Sequence, residues 1–347
     1  MSEATPARFL IVRLGSLGDL VHTLPAVAAL RASFPSAAID WVVEEKWSPL
    51  ISLVEGIDHV IPLRRSRAGY FECVRRLRAG RYTCAVDFQG LYKSALLARL
   101  SGAARRVGFD RKTAREPGAA WFYTERVAPT GRHVAEFNLS LAVRAGSERP
   151  AAMEFPLRVP TDQVRSMAER LALEGISGDY VVVSPGGGWT SKCWPAQRYG
   201  ELCGELWRRH RIPVVVNEGP GEAGLAAGVI QGSARATIVT LKPTLPELCA
   251  LLAQARTVVA ADTGPLHLAA ALGTRVVALF GPTDPARNGP MYPGTGTSGN
   301  DARYKILRKA NEGATTYKRG STYSPAMLAL TVAEVTAAVE CESSAAR

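Results

Sequence analysis

The chain lacks the cysteine and histidine patterns of metal-binding and disulfide-rich proteins. Its six cysteines (Cys73, Cys84, Cys193, Cys203, Cys249 and Cys341) are scattered, with no C-x-x-C pair and no cluster at metal-ligand spacing. This argues against structural zinc and predicts a reducing, cytosolic setting. No apolar run approaches the roughly 20 residues that span a bilayer, and no secretory signal pattern is visible. We therefore expect a soluble cytoplasmic protein that can still touch membranes.

Nucleotide-binding and nucleic-acid-binding signatures are also missing. The sequence contains neither G-x-G-x-x-G nor G-x-x-x-x-G-K-S/T, so neither a dinucleotide site nor a P-loop follows, and a Rossmann dehydrogenase is disfavoured. No helix-turn-helix, zinc-finger or RNP-type pattern accompanies the arginines, which argues against nucleic acid as a partner.

Positive charge is abundant and unevenly placed. The formal net charge is +11, which favours anionic partners such as anionic lipid or a phosphorylated substrate. The basic residues concentrate between positions 64 and 115, in Arg64-Arg65-x-Arg67, Arg75-Arg76, Arg105-Arg106 and Arg111-Lys112. Solvated helix faces are the ordinary explanation of such runs, and this alternative stays open here.

The order of apolar runs predicts two α/β lobes, since 347 residues suit two domains. Short β-branched runs alternate with helical segments in both halves, a pattern typical of parallel sheets. The predicted strands are residues 9–12, 39–43, 59–61, 84–86, 180–183, 213–216, 236–239, 258–260 and 276–279. The predicted helices are residues 20–33, 91–101, 199–209 and 324–339. Residues 148–160 break the pattern and predict a linker, and residues 281–300 predict a long loop.

The junction at residues 257–267 predicts a phosphate site. An apolar strand runs into Asp262, Thr263 and Gly264, which open a helix of small residues that contains His267. The unpaired amides of a helix's first turn attract an anion, and glycine permits a close approach. Simple helix capping by Asp262 and Thr263 is the alternative, and the sequence pattern alone leaves it open.

Two further junctions carry polar groups. After residue 183 come three glycines with Thr190, Ser191 and Lys192, a set suited to a diphosphate, although a flexible surface loop is possible. Glu222 follows the next strand and fits either ribose hydroxyls or an exposed turn. After the first strand, a glycine-bearing turn delivers Asp19 to a helix start, either as a first-turn acid or as a general base.

These motifs resemble glycosyltransferase family 9, the ADP-heptose:lipopolysaccharide heptosyltransferases, over nearly the whole chain. The matching segments are Gly18-Asp19, His22-Thr23-Leu24-Pro25, Asp40-Trp41-Val42-Val43-Glu44-Glu45, residues 87–95, Arg115-Glu116-Pro117, Lys192-x-Trp194-Pro195, Asp262-Thr263-Gly264-x-x-His267 and residues 281–285. The Trp41 segment and the Arg64-Arg65-x-Arg67 group are more similar to the heptosyltransferase I branch than to heptosyltransferase II.

The resemblance implies an α/β GT-B fold, in which two Rossmann-like, doubly wound parallel-sheet lobes flank a cleft. Residues 1–155 would bind the acceptor, residues 156–323 would bind the ADP-sugar, and residues 324–347 would form a final helix able to pack back on the first lobe. Asp19 would be the catalytic base of an inverting transfer from ADP-heptose to the Kdo of lipid A–Kdo. No cofactor and no metal are implied.

The same resemblance implies roles for the remaining candidate residues. The donor would contact Thr190, Ser191, Lys192, Glu222, Lys242, Asp262, Thr263, Gly264 and His267, with adenine near the backbone at position 242. The acidic acceptor would contact Arg64, Arg65, Arg67, Gln89, Lys93 and Arg115. Phe137 stands where the family usually has arginine, which weakens the match on the acceptor side.

The expected setting is the cytoplasmic face of the inner membrane, with peripheral attachment to its anionic surface and no nucleic acid. Two alternatives remain open at this point. One is a family 9 transferase that uses another nucleotide sugar or acceptor, and the other is a basic nucleotide-binding protein without catalysis.

Overall fold

A computed structural model describes residues 7–233, 236–295, 303–309 and 315–340. The described residues form two compact units, which divide after Arg158, inside the predicted linker. Gly294 and Thr295 belong to the first unit. They exchange backbone hydrogen bonds with Met153, at 2.9 Å in each direction. The second unit therefore lacks this short stretch of the predicted span 156–323.

The first unit is built on a parallel sheet in the order β3-β2-β1-β4-β5-β6. Its described strands are β1 (Arg8–Val12), β2 (Ala38–Glu44), β3 (His59–Leu63), β4 (Cys84–Asp87), β5 (Arg105–Phe109) and β6 (Glu125–Val127). Its described α-helices are α1 (Leu17–Val21), α2 (Leu24–Ser33), α3 (Ser48–Ile51), α4 (Arg67–Ala79), α5 (Tyr92–Leu100) and α6 (Val134–Ala145). Short 3-10 turns lie at Glu45–Trp47 and Pro117–Phe122.

The second unit repeats the same topology, with strand order β12-β11-β10-β7-β8-β9, all parallel. Its described strands are β7 (Val181–Ser184), β8 (Val214–Asn217), β9 (Ile238–Leu241), β10 (Thr257–Ala261), β11 (Val276–Phe280) and β12 (Tyr304–Arg308). Its described α-helices are α7 (Thr161–Leu173), α8 (Ala196–His210), α9 (Ala223–Gly232), α10 (Leu245–Gln254), α11 (Gly264–Ala271), α12 (Pro285–Asn288), α13 (Pro325–Leu328) and α14 (Val332–Glu340). A 3-10 turn lies at Thr190–Lys192.

The central strands are buried along their whole length, which explains their unbroken apolar sequences. Every residue of β7, β8, β10 and β11 is buried, as expected for parallel strands with helices on both faces. In the first unit the chain leaves the central strands β1 and β4 toward opposite edges of the sheet. In the second unit it leaves β7 and β10 in the same way. The carboxyl ends at such a switch point are where ligands bind in doubly wound sheets.

Several sequence predictions are corrected by the structure. Three strands were missed: β5 and β12 because each carries arginine, and β6 because it is only three residues long. The predicted helix 20–33 is two helices, α1 and α2, with Pro25 in the first turn of α2. The predicted loop 281–300 contains α12, and its residues 296–300 lie outside the described part of the chain.

The last predicted helix, 324–339, is also two helices, and they belong to the second unit. Val335, Ala338 and Val339 of α14 are buried in the same apolar cluster as Leu202 and Leu206 of α8. The apolar face of α14 thus packs on the core of the second unit. Residues 341–347 of the predicted segment lie outside the described residues.

The described cysteines, Cys73, Cys84, Cys193, Cys203 and Cys249, are buried free thiols, and Cys341 falls outside the described residues. Burial raises their pKa values, to about 11 for Cys193. Among helices in the described ranges, none combines the length and apolar character needed to cross a membrane.

Candidate functional site

The first polar cluster surrounds Asp19, in the first turn of α1 directly after β1. Arg13, the residue after β1, donates from Nη2 to Asp19 Oδ1 at 2.7 Å, and its side chain is only 4% exposed. The backbone N–H and the hydroxyl of Ser16 donate to Oδ2 at 3.2 and 3.1 Å. Asp19 itself is 16% exposed, so the carboxylate is held firmly yet still meets solvent.

Arg115 approaches the same carboxylate more loosely. Its Nη2 lies 3.4 Å from Oδ1 and 3.3 Å from Oδ2, and the side chain is 57% exposed. Burial by itself would raise the pKa of Asp19, but the charges of Arg13 and Arg115 outweigh it and hold that pKa well below its usual range. The carboxylate is therefore ionised, and able to accept a proton, throughout the physiological pH range.

Sequence reasoning missed Arg13, although it is the tightest partner of Asp19. Arg13 also donates from Nη1 to the carbonyl of Phe88, the residue after β4. Gln89, expected to touch the acceptor, is buried, and its Oε1 accepts the N–H of Leu14 at 2.8 Å. Gln89 thus braces the loop between β1 and α1. The signal available in the sequence was a charged residue, Arg13, directly after the apolar run at residues 9–12.

The basic residues expected to bind the acceptor lie around the end of β2. Glu44 accepts hydrogen bonds from Arg65 at 2.7 and 2.8 Å and from Lys93 at 3.3 Å. Arg64 pairs with Glu45 at 2.7 Å. Burial would raise the pKa of Glu44, but its bonds to Arg65 and Lys93 lower it. The sequence predicted no role for Glu44, yet this residue pairs with two of the predicted acceptor-binding cations, Arg65 and Lys93.

An open pocket of about 670 Å³ lies beside Glu44, and Arg65, Ser66, Arg67, Tyr70 and Lys93 line it. Three predicted acceptor residues therefore share one basic cavity. Other arginines of the charged segment are structural: Arg105 pairs with Glu125 at 2.7 Å, and Arg106 donates to the carbonyls of Phe122 and Ala103. Some basic residues between positions 64 and 115 thus line the pocket, and others form bonds that stabilise the fold.

In the second unit Asp262, directly after β10, gathers three side chains. Lys192 Nζ lies 2.6 Å from Oδ2, Thr283 Oγ1 donates to the same oxygen at 2.7 Å, and His267 Nε2 lies 3.1 Å from Oδ1. The carboxylate is 4% exposed. Burial alone would raise the pKa of Asp262, but the bond to His267 and the charge of Lys192 lower it strongly. Lys192, which also lies over the ring of Trp189, is thereby fixed at the end of β7.

Simple helix capping does not explain these residues. Both oxygens of Asp262 are engaged by other side chains, and Thr263 Oγ1 donates to the carbonyl of Ala261 at 3.2 Å. No side chain caps α11, whose first turn begins at Gly264. In this first turn the N–H groups of Gly264 and Leu266 therefore remain available to an anion, whereas Pro265 has no N–H.

The other predicted donor residues divide by environment. Thr190 is exposed, whereas Ser191 is buried and its hydroxyl has no hydrogen-bond partner among the described residues. Glu222 accepts the N–H of Gly219 at 2.9 Å, and burial, together with Glu218, raises its pKa.

Two details concern the space around Glu222 and the position of Lys242. A Cβ on Gly186 would lie 1.8 Å from Glu222 Oε1, so any larger residue there would require the Glu222 carboxylate to move. The side chain of Lys242 is 71% exposed and pairs with Glu218 at 2.9 Å. Thr283 and Glu218 were missed from the sequence because their roles depend on pairing across distant segments. Within the described ranges, no group of three or more His, Cys, Asp or Glu side chains is placed to hold a metal ion.

Comparisons with known proteins agree on one family. The family description "Glycosyltransferase family 9 (heptosyltransferase)" matches residues 70–316. Lipopolysaccharide heptosyltransferase 1 of Pseudomonas aeruginosa is 34% identical over 298 residues, covering 81% of each chain. The Escherichia coli K12 protein of that name is 32% identical over 299 residues, or 80% of this chain and 89% of that protein. The structure of E. coli heptosyltransferase WaaC with ADP is 28% identical, with TM-score 0.77, over 97% of this chain and all of that one.

Proposed function

Because the chain belongs to glycosyltransferase family 9, the heptosyltransferases, we propose that it transfers heptose from ADP-L-glycero-D-manno-heptose to the Kdo of lipid A–Kdo. Two relatives above 30% identity are named lipopolysaccharide heptosyltransferase 1. Solved WaaC structures at 28% identity contain ADP or ADP-2-deoxy-2-fluoro heptose. These names support both the donor and the lipopolysaccharide acceptor.

In this proposal Asp19 is the general base. The mechanism rests on the ionised and partly exposed carboxylate of this residue. As the acceptor hydroxyl attacks the anomeric carbon of heptose, its proton passes to a carboxylate oxygen of Asp19. The new carbon–oxygen bond forms on the face opposite the diphosphate, and ADP leaves with the electron pair of the broken bond. Attack from the opposite face inverts the anomeric centre. Arg13 keeps the carboxylate ionised and oriented.

The second unit stabilises the charge that grows on the diphosphate. Lys192 would neutralise it, while the free amides of α11, with Thr263 and Gly264, would donate hydrogen bonds to its oxygens. Ser191 and Thr190 would add hydroxyl donors. Asp262 and His267 hold Lys192 in place, and Glu222 would contact the ribose or the heptose. The backbone at Lys242 would lie against adenine.

Acceptor binding falls to the basic pocket of the first unit. Kdo carries a carboxylate and lipid A carries phosphates, and planar guanidinium groups bind both in bidentate fashion. Arg65, Arg67 and Lys93 line the pocket, and Arg115 lies beside the base. Since the acceptor is a lipid, we also propose that the protein works as a peripheral protein on the cytoplasmic face of the inner membrane.

The experiment that tests this function measures ADP release and heptosylated product from ADP-heptose and purified lipid A–Kdo. Competition by other ADP-sugars and by UDP-sugars distinguishes a heptosyltransferase from a family member with another donor. Product formation that requires both substrates, and that fails with UDP-sugars, supports the proposal. Absence of ADP release with this pair, from folded protein that binds ADP, would contradict it.

Substitution of Arg115 by glutamine should raise the KM for lipid A–Kdo roughly tenfold, because one charge-assisted contact is lost. The fold should be unaffected, since exposed pairs contribute at most about 1 kcal/mol. Lys112→Gln, in the same exposed segment, controls for the change in net charge. A KM for Arg115→Gln equal to that of Lys112→Gln would exclude Arg115 from the acceptor site.

Transfer should proceed at an unchanged rate in excess EDTA, because lysine and helix amides fill the role that a metal has in other transferases. The measurement compares initial rates of ADP release in untreated enzyme and in enzyme dialysed against the chelator. A fall in rate that added Mg²⁺ or Mn²⁺ reverses would show that the diphosphate needs a cation beyond Lys192.

A further inference from the structure

The outward faces of α4 and α5 combine apolar and basic side chains in matching rows. On α4, Phe71, Arg75 and Arg78 are exposed at spacing i, i+4, i+7, which places them on one side of the helix. On α5, Tyr92, Leu96 and Arg99 are exposed at the same spacing. We call these six residues the α4–α5 face.

The opposite sides of both helices are buried, which fixes the direction of the two rows. Cys73 and Leu77 of α4 and Leu97 and Ala98 of α5 belong to one apolar cluster with β1. The two helices also pack against each other. The α4–α5 face is therefore one continuous surface turned away from the sheet.

This surface concentrates exposed apolar groups. Phe71 is 76% exposed, and Tyr92 and Leu96 are 49% and 44% exposed. Trp121, 67% exposed, lies on the 3-10 turn Pro117–Phe122, which packs against α5, and Arg111 lies over its ring. The other exposed large apolar side chains among the described residues of the first unit are Tyr70, at 39%, which lies on α4 and lines the basic pocket, and Val143, at 37%.

Aromatic and aliphatic groups interleaved with arginine are typical of helices that lie in a membrane interface. The arginines supply attraction to anionic headgroups, and Phe71 and Leu96 supply apolar area. Glu72, also exposed, lies at the side of α4 rather than in the row. The charge pattern thus complements an anionic bilayer better than a neutral or basic surface.

Both rows of residues in the α4–α5 face begin next to the basic pocket. Arg67, the first residue of α4, and Lys93, the second of α5, both line it together with Tyr70. From there the rows run along the helices away from the pocket. A bilayer covering the α4–α5 face would consequently lie beside the opening to which a lipid-linked sugar must come.

We propose that the α4–α5 face docks on an anionic lipid bilayer, with Phe71 and Leu96 entering the interface and Arg75, Arg78 and Arg99 binding lipid phosphate. This rests on the proposed function only in that the acceptor is a membrane lipid. Three arginines and two or three apolar side chains give weak, reversible attachment, because each basic residue adds a modest attraction that salt screens.

Vesicle co-sedimentation of the full chain tests this surface. The probes are vesicles of phosphatidylcholine alone and vesicles of phosphatidylcholine with roughly one third anionic phosphatidylglycerol. Two double variants are compared with the wild type, Phe71→Ser/Leu96→Ser and Arg75→Gln/Arg99→Gln. The matched control is Leu173→Ser/Arg165→Gln, which removes an exposed leucine and an exposed arginine from α7 of the second unit.

The wild type and the control should bind the anionic vesicles, and each face variant should bind at least roughly tenfold more weakly. Salt should weaken wild-type binding, and phosphatidylcholine alone should bind poorly. Equal binding by all variants, or no binding of wild type to anionic vesicles, would overturn the inference. So would a wild-type self-association in solution that Phe71→Ser/Leu96→Ser abolishes, because the face would then serve a second copy of the chain.

Assays with a deacylated, water-soluble Kdo acceptor separate this inference from the proposed function. The face variants should transfer heptose to that acceptor at the wild-type rate and lose activity only on acceptor embedded in vesicles. Vesicle binding without any transfer would contradict the proposed function and leave the docking surface intact. Normal heptose transfer by the face variants, with vesicle binding as strong as that of the wild type, would contradict the docking surface and leave the proposed function intact.

Discussion

Replacement of Asp19 by asparagine should lower kcat for heptose transfer by roughly 10²- to 10⁴-fold, the usual contribution of a general base. The amide keeps the shape of the carboxylate but cannot take up the acceptor's proton. The Kd for ADP, measured by calorimetry, should stay at the wild-type value, because Asp19 lies in the first unit and the predicted nucleotide residues lie in the second. The loss is thus expected in kcat and not in donor affinity.

The variant also leaves Arg13 without its charge partner, so folding needs its own control. Arg13 is 4% exposed, and losing one member of a buried pair costs about 3–5 kcal/mol. Urea unfolding of Asp19→Asn should show this loss. Asp58→Asn, which breaks the 2.6 Å pair with Arg31 in the same unit, should leave kcat unchanged. A wild-type kcat in folded Asp19→Asn, or an equal loss in Asp58→Asn, would remove Asp19 from the mechanism.

Replacement of Lys192 by methionine should weaken ADP-heptose binding by roughly 10- to 150-fold, the equivalent of one hydrogen bond to a charged group. The side chain of Lys192, 14% exposed, is held 2.6 Å from Asp262 and would face the diphosphate. The substitution should also destabilise the second unit by about 3–5 kcal/mol, since it strands a buried carboxylate. Calorimetry with ADP and urea unfolding measure the two effects separately.

A double variant separates binding from folding. Lys192→Met/Asp262→Asn removes both charges, so it should regain most of the lost stability while ADP binding stays weak. Lys309→Met breaks another lysine–carboxylate pair of the second unit, with Glu334, and should leave ADP binding unchanged. ADP affinity that returns to the wild-type value in the double variant would mean that Lys192 acts on the fold and does not touch the nucleotide.

The pH dependence of stability gives a related check on Asp262. Its pKa in the folded protein lies below the ordinary value, so the ionised form stabilises the fold above the unfolded pKa, near pH 4. This contribution is lost as the pH falls further, through the folded value. The stability difference between wild type and Asp262→Asn should therefore be constant between pH 6 and 8 and shrink in acid.

Much of the fold could be predicted because the central strands have a recognisable sequence pattern. Unbroken runs such as those of β7, β8 and β10 are buried on both faces, and their order with intervening helices implies parallel sheets. The observed pair of six-stranded parallel sheets confirms the GT-B prediction and matches the solved heptosyltransferases. Strands at or next to a sheet edge were harder to predict, because β5 and β12 are less buried than the central strands and carry cations that are typical of loops.

The acidic positions of the site could be predicted, whereas their partners could not. Asp19 and Asp262 each follow a central strand, so local sequence places them at a switch point. Their cations come from elsewhere: Arg115 is 96 positions from Asp19, and Lys192 is 70 positions from Asp262. Family resemblance supplied Lys192 and Arg115 as binding residues. Nothing in it, or in local pattern, indicated that Arg13 would pair with Asp19. The same holds for the bonds of Glu44 to Arg65 and Lys93 and of Thr283 to Asp262.

Formate rescue of Asp19→Ala tests the central claim most directly, because a small carboxylate can occupy the space that the side chain vacates. The account predicts a kcat at least about 10²-fold below wild type that rises with formate concentration, while wild type and Lys192→Met show no such response. An Asp19→Ala enzyme that turns over at the wild-type rate, or whose residual rate ignores formate, would contradict a proton transfer to this carboxylate.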